Sequence, residues 1–492
     1  MRLPSDTRMQ ASALSRRAAW LLPIFGGVLH ALAFPPFGFM LLAMVSLAPL
    51  LIAVRGASGK HAFGRGYLFG LAFGIPNMFW LQVFVGRWTG SAFLGAVPWL
   101  LVCAAFAVYF GLFGWLAARA WKHSWLWAIP LCWAAVEIFR SKIPVLFYPW
   151  SLSGGALYKL PGFVQSAHVF GEFFVGAWLC TIALVAVMAL NREEFAPRRF
   201  WRYAAFCILV LLGSLGLYAV PEKGEVRTYG SVQPGVDLAF GPESQQQMLL
   251  QERIPEALAT GASRDPDLLV FPEGIGRWRA GQPSPDIVFS AEGLGRIVVG
   301  GQRSAGGVSH QSAFGYDGTE WSAVDKTRLV IFGEYVPLRD KLPFLAAFDV
   351  PSGDLRPGKA IGTLELGGLK IAPVLCFEAL FEEVSRVSAS RGAEVIAISS
   401  IDDWYQDTGA IDALISGAVM RAIENGLPAV RSASLGPSAI VDARGNIVAY
   451  AQAGEATTIF GDVAARGMDT SVLRLAFMFV ACGVGLLVAF RR

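Results

Sequence analysis

Apolar residues follow two regimes along this chain. Up to residue 220 they gather in long runs, and from 221 to 470 they come in short runs divided by polar stretches. Seven long runs, at about 18–34, 40–54, 67–85, 94–118, 125–139, 171–190 and 203–220, precede the polar region, and an eighth, at about 471–490, follows it. Several approach the ~20 residues that a helix needs to cross a bilayer core. The pattern predicts an α-helical polytopic membrane bundle of about eight spans, with the short second and fifth runs open to a re-entrant arrangement. In the polar region, short apolar runs predict strands at Asp267–Phe271, Arg296–Gly301, Leu369–Leu375, Glu394–Ser399, Pro428–Ser432 and Ser438–Val441. "IDALISGAVMRAIEN" (411–425) reads as an amphipathic helix ended near Gly426 and Pro428, and "DARGN" (442–446) as a hairpin turn into "IVAYA". Strands alternating with helices predict a layered α/β domain. The expected division is a transmembrane domain with about seven helices over 1–220, the α/β domain over 221–470, and a last transmembrane helix over 471–492.

Charge orients this arrangement. With the N-terminus inside, the cytoplasmic segments carry Arg2, Arg8, Arg16, Arg17, Arg55, Lys60, Arg65, Arg119, Lys122, Arg192, Arg198, Arg199, Arg202, Arg491 and Arg492. The short outer loops carry Arg87, Arg140, Lys142 and Lys159. Fifteen against four is a positive-inside bias, and it predicts that residues 221–470 lie outside the cytoplasm. Arg16 and Arg17 before the first run, with Ala31 and Ala33 at its end, imitate a cleaved signal peptide. Six further runs behind it favour an uncleaved first helix. Hydrophobic residues make up 54% of the chain and charged residues 16%, which suits a membrane protein carrying a polar domain. The inner loops account for the net charge of +4, which calls for no nucleic-acid partner.

Within the polar region Cys376 is the single cysteine, set at the end of the apolar run Ile371–Leu375 with Glu378 two residues on. "DLLVFPEG" carries Glu273 to the end of a similar run, and "VDKTRLVIFGEYVPL" supplies Lys326 and Glu334. An acid, a lysine and a thiol at strand ends are the parts of a cysteine nucleophile that works without a histidine base. Each residue alone has a blander reading: a core cysteine, a strand-end acid, a solvated lysine. Cys103, Cys132, Cys180, Cys207 and Cys482 fall within predicted spans, where cysteine behaves as a small apolar residue. His310 is the one histidine of the polar region, and "GQRSAGGVSHQS" around it predicts an exposed loop. No metal-ligand spacing and no phosphate-binding glycine motif is present, so neither a metal nor a cofactor is expected.

The motifs then fall into a familiar order. "LAFPPFGF", "FYPWSL", "FPEG", "DKTRLVIFGEYVPLRD", "PVLCFEALF" and "MRAIENGLPAVRSAS" together resemble the bacterial apolipoprotein N-acyltransferase family. The extracytoplasmic domain of that family belongs to the nitrilase, or carbon–nitrogen hydrolase, superfamily, which implies an αββα sandwich. The resemblance implies Glu273 as general base, Lys326 as the cation holding an oxyanion, and Cys376 as nucleophile. Glu334 and Glu378 match two supporting acids. It also implies a phospholipid acyl donor, a thioester on Cys376, and a lipoprotein acceptor whose N-terminal cysteine is diacylglyceryl-modified. The implied location is the bacterial inner membrane, with the nitrilase-like domain on the periplasmic side.

Some residues depart from the family pattern. Phe377 follows the nucleophile where a tyrosine is usual, and Leu414 stands where a histidine commonly begins a helix. "QPGVDLAFGP" (233–242) lacks the usual tryptophan, and "SSIDDWYQD" replaces a "SNDAWFG"-like loop. A carboxylate pair beside an apolar acyl path must face away or be paired. The expectation is that Asp402 and Asp403 point to solvent or to the acceptor amine, while Phe377, Trp404 and Tyr405 border the substrate entrance. These departures keep two other readings in view. One is a divergent membrane acyltransferase or amidase with another acceptor, such as a plasmid conjugal-transfer protein; the other is an inactive membrane scaffold.

Overall fold

The computed structural model describes residues 15, 17–143, 147–337, 339, 341, 353–405, 408–467 and 470–491. Arg2, Arg8, Arg16 and Arg492, which contribute to the predicted orientation, and Gln406 and Asp407 of the variant loop lie outside the described residues. The chain divides into two compact units. One comprises Met1–Leu217, Thr408–Asp412 and Val472–Arg492, and the other Tyr218–Asp407 and Ala413–Ser471.

The first unit is helical: α1 (Ala18–Ala33), α2 (Ala48–Val54), α3 (Gly59–Asn77), α4 (Phe79–Thr89), α5 (Ala92–Lys122), α6 (Ala128–Lys142), α7 (Ser166–Phe170), α8 (Glu172–Leu190), α9 (Pro197–Ala219) and a C-terminal helix, Ser471–Phe490. Among the described residues, α5, α8, α9 and the C-terminal helix are long and apolar enough to cross a membrane. A fifth crossing is counted if α3 and α4, bent by 50° at their junction, form one span. That differs from the eight expected, because hydropathy registers apolar residues but not where a helix breaks. Run 40–54 splits into a 3₁₀ turn, Met40–Met44, and α2, which Pro49 opens. Pro76 stands in the last turn of α3 just before the bend, where its ring and missing N–H weaken the helical ladder.

The fifth run becomes α6, only 15 residues long, and ends in polar work. Arg140 donates to the carbonyls of Tyr148, Trp150 and Ser151, and Glu137 accepts from the Ser153 amide and hydroxyl. Small residues let α3 and α5 meet backbone to backbone: a Cβ on Gly66 would lie 2.1 Å from the Phe110 carbonyl oxygen.

The second unit is the predicted α/β domain. Its strands are β1 (Arg227–Gln233), β2 (Leu268–Val270), β3 (Gly276–Trp278), β4 (Asp286–Ile287), β5 (Ile297–Ala305), β6 (Val308–Tyr316), β7 (Trp321–Asp325), β8 (Leu364–Leu366), β9 (Leu369–Leu375), β10 (Val395–Ser400), β11 (Ala429–Ala433), β12 (Ser438–Val441), β13 (Ile447–Ala451) and β14 (Thr457–Val463). One sheet runs β14-β1-β2-β5-β3-β4, with β6 on β5 and β7 on β6; the other runs β13-β12-β11-β10-β9-β8. Strand alternation builds the layers. Leu268 and Val270 of β2 and Val298 of β5 pack with Ile371, Val395, Ala397 and Val430 of the facing sheet. Leu269, Phe271, Ile297 and Val299 point the other way, against Leu250, Ile254 and Ala257 of α10 (Glu243–Thr260). Helix α11 (Glu382–Ser390) packs against β9, and α12 (Gly409–Asn425) connects the parallel strands β10 and β11.

His310 corrects one expectation. It lies within β6, half-buried, with Nδ1 2.8 Å from the Arg356 carbonyl oxygen, because the glycines before it form the turn of the β5–β6 hairpin.

Candidate active site

Parallel strands gather the polar groups at one end. β9, β10 and β11 are mutually parallel, in a register that sets Leu375, Ser399 and Ser432 in one row. The residues that follow each strand therefore emerge side by side, the usual place for a site in an α/β sheet. Cys376 is the first residue beyond β9, at the start of a 3₁₀ turn, and adopts φ +47°. A non-glycine residue there is strained by roughly 1–2 kcal/mol. Glu378 holds the turn. Its Oε2 accepts the Leu375 amide at 3.2 Å, while Oε1 accepts the Thr327 amide and hydroxyl and the Arg328 amide at 2.8–3.0 Å. One buried carboxylate thus fastens the cysteine turn to the segment after β7.

Lys326 leaves the end of β7 and is 2% exposed. Its Nζ lies 2.6 Å from Glu334 Oε1 and 3.9 Å from Glu273 Oε1. Glu334 is itself anchored, since its Oε2 accepts the Val330 amide at 2.9 Å. Glu273 follows β2, and Gly300 of β5 passes close beneath it: a Cβ there would sit 2.7 Å from the Glu273 Cα. That glycine lets the strand support the acid from directly below. The Cys376 thiol donates to the Ile401 carbonyl at 3.8 Å.

Burial and charge set the protonation states. Burial pushes the Glu273 carboxyl up to about 7; Lys326 works against that rise, and Glu334, Glu378 and Asp402 add to it. Burial pushes the Cys376 thiol up to about 12, Glu273 raises it further, and Lys326 pulls it back. Burial disfavours the charge on Lys326, yet Glu334 and Glu273 outweigh it and hold its pKa above the ordinary value. Above about pH 7, the resting site is a neutral thiol beside a carboxylate and an ammonium. Such a set can take a proton from sulfur as it attacks a carbonyl carbon, and can hold the negative oxygen that forms.

The variant loop overturns an expectation. Asp402 and Asp403 are 0% and 1% exposed, and neither points to solvent. Asp402 pairs with the guanidinium of Arg431 and accepts from the Ser400 hydroxyl. Asp403 accepts from the Leu238 amide, the Ser434 hydroxyl and the Leu435 amide. Burial is sustained because each carboxylate meets donors from other segments. Phe377 is buried against Phe381, Tyr405 is buried, and Trp404 is half-buried with its ring edge-on to Phe240. Sequence reasoning missed Arg431 and the Ile401 carbonyl. An arginine inside the apolar strand "PAVRSA" was a signal, since such a charge must be paired; its partner was not readable.

Two comparisons with known proteins fit this architecture. Residues 301–470 match the carbon–nitrogen hydrolase family, so the α/β unit carries a domain of that class. Residues 26–185 match the apolipoprotein N-acyltransferase N-terminal domain, so the chain combines both parts of the apolipoprotein N-acyltransferase pattern. It is 29% identical to the apolipoprotein N-acyltransferase of Geobacter metallireducens, covering 97% of this chain and 96% of that protein. It is also 29% identical to that of Allorhizobium ampelinum, covering 89% of each. Among solved structures, Saccharomyces cerevisiae Nit3, a member of branch 10 of the nitrilase superfamily, is 17% identical, with a TM-score of 0.35 over 51% of this chain and 94% of that one.

Proposed function

We propose that this protein is an apolipoprotein N-acyltransferase of the bacterial inner membrane, with residues 221–470 as its periplasmic catalytic domain between transmembrane segments 1–220 and 471–492. The observation that carries the reading is the buried set Glu273, Lys326 and Cys376, with Glu334 2.6 Å from the lysine. In the first half-reaction Cys376 Sγ attacks the ester carbonyl of a phospholipid, and Glu273 takes the thiol proton. Lys326 stabilises the oxyanion, and collapse expels lysophospholipid, whose oxygen takes the proton from Glu273. In the second, the α-amine of a diacylglyceryl-cysteine lipoprotein attacks the thioester carbonyl. Glu273 takes the amine proton and returns it to the departing sulfur, leaving an amide. Glu334 and Glu378 keep the lysine and the cysteine turn in place. Both substrates are held by lipid, which accounts for joining the domain to membrane helices. The charge asymmetry of the loops supports the periplasmic side.

The test is acyl labelling. Purified protein given phospholipid with a labelled acyl chain should carry hydroxylamine-sensitive label, and Cys376→Ala should carry none while still inserting and folding. Label that persists in Cys376→Ala, or none in the wild type, overturns the reading.

A further inference from the structure

Three chain segments beyond the ends of parallel strands converge on one buried carboxylate. Asp403, in the segment after β10, takes the Leu238 amide at 2.6 Å from the segment after β1. From the segment after β11 it takes the Ser434 hydroxyl at 2.9–3.0 Å and the Leu435 amide at 3.2 Å. The same segments are stitched again by backbone bonds, Val236 N–H to Ser434 O and Ser434 N–H to Ser400 O. Asp237 shapes the first of them, accepting the Ala239 and Phe240 amides at 2.9 and 3.1 Å. The outcome is a fixed aromatic contact: the rings of Phe240 and Trp404 meet edge-on with centroids 5.5 Å apart, both half-buried. Trp404 stands three residues beyond Ile401, whose carbonyl receives the Cys376 thiol.

A carboxylate this buried holds only while its donors stay in place, so Asp403 binds the Leu238, Ser434 and Leu435 segments to its own. Here the adjacent Asp402–Arg431 pair already anchors the segment's start, so Asp403 adds a second tether one residue before the half-buried ring of Trp404. We propose that Asp403 is a positioning residue that fixes the Phe240–Trp404 pair as an apolar wall on the segment leading from Ile401, and thereby sets the preference of the site for long acyl chains. The proposal rests on the acyltransferase reading above.

The test compares thioester formation from p-nitrophenyl acetate, octanoate and palmitate, followed as the p-nitrophenolate burst of the full chain in detergent. The wild type should show a Cys376-dependent burst that favours the long chains. Asp403→Ala should lower the palmitate-to-acetate rate ratio about tenfold, the scale of a methylene or more of lost apolar contact. Asp403→Asn, which can still accept one of the two amides, should fall between, and Trp404→Ala should resemble the alanine variant. A burst equal in wild type and Cys376→Ala defeats the acyltransferase reading itself. A Cys376-dependent burst whose chain preference is unchanged in the Asp403 variants, or whose rate falls equally for every ester, overturns the wall alone. Should Asp403→Ala not accumulate as folded protein, Asp403→Asn and Trp404→Ala decide: loss of preference in both supports the proposal, and loss in Trp404→Ala alone overturns it.

Discussion

Replacing Glu378 with glutamine separates the stability of the site from its geometry. In the native protein Oε1 receives three donors on the Lys326 side and Oε2 receives the Leu375 amide. Glutamine keeps one carbonyl oxygen, which satisfies the three-donor side, and its NH₂ then faces the Leu375 N–H. The lost charge-assisted bond is worth about 1.5–3 kcal/mol. Against that, burial already disfavours the Glu378 charge and raises its pKa, so removing the charge recovers part of the loss. The net fall in stability is expected to be no more than about 2 kcal/mol. Catalysis has no such offset, because the amide–amide clash lies at the residue before Cys376, which is held at φ +47°. A displacement approaching 1 Å at the nucleophile costs on the order of 10²-fold in rate. Glu378→Gln should therefore unfold near the wild-type temperature yet acylate about 10–100-fold more slowly in single-turnover labelling with phospholipid. Wild-type acylation in a folded Glu378→Gln protein would refute the claim that this carboxylate sets the turn.

Other outcomes follow from the same geometry. Glu273→Gln should slow thioester formation by on the order of 10²–10⁴, read in the same single-turnover assay, because the thiol proton loses its acceptor. The acylation rate should fall as pH drops through about 7, where the raised Glu273 carboxyl takes up its proton. The stability contribution has the opposite sign: the folded protein retains that proton while the unfolded chain releases it near 4.5, so stability declines as pH rises from about 4.5 to about 7. Glu273→Gln should flatten that decline in thermal unfolding measured across the range. Arg431→Met should lower stability by about 3–5 kcal/mol, measured by chemical unfolding of the α/β unit's signal, since it strands Asp402 in a fully buried site.

Much of this was legible in the sequence where local pattern alone decides structure. The apolar run Ile371–Leu375, with Leu369 just before Lys370, marked β9 and put Cys376 just past its end. The turn at 442–446 led into β13 at Ile447–Ala451 as the turn residues required. What remained hidden depended on partners distant in sequence. Two adjacent aspartates look solvent-bound until Arg431 and Ser434, about thirty residues later, come alongside through the β10–β11 register. His310 was misread because glycines predict a turn but not how far the flanking strands extend. In the helical unit, composition located the apolar runs, while Pro49 and Pro76 decided which of them stayed straight.

The register that aligns Leu375, Ser399 and Ser432 also bears on how such a protein diverges over time. Hydrogen-bonded rows tolerate little insertion, since one extra residue in β9 would carry Cys376 out of line with its neighbours. The stretches immediately beyond, 401–405 and 434–437, lie outside those rungs and are held instead by the Asp402 and Asp403 tethers, so exchanges there must keep those tethers while the ladder itself is untouched. Under the acyltransferase reading, exchanges in these stretches would change the acceptor while Cys376 keeps its place. Chimeras between relatives spliced at these strand ends, rather than at the junction of the two units, are where altered substrate choice should first emerge.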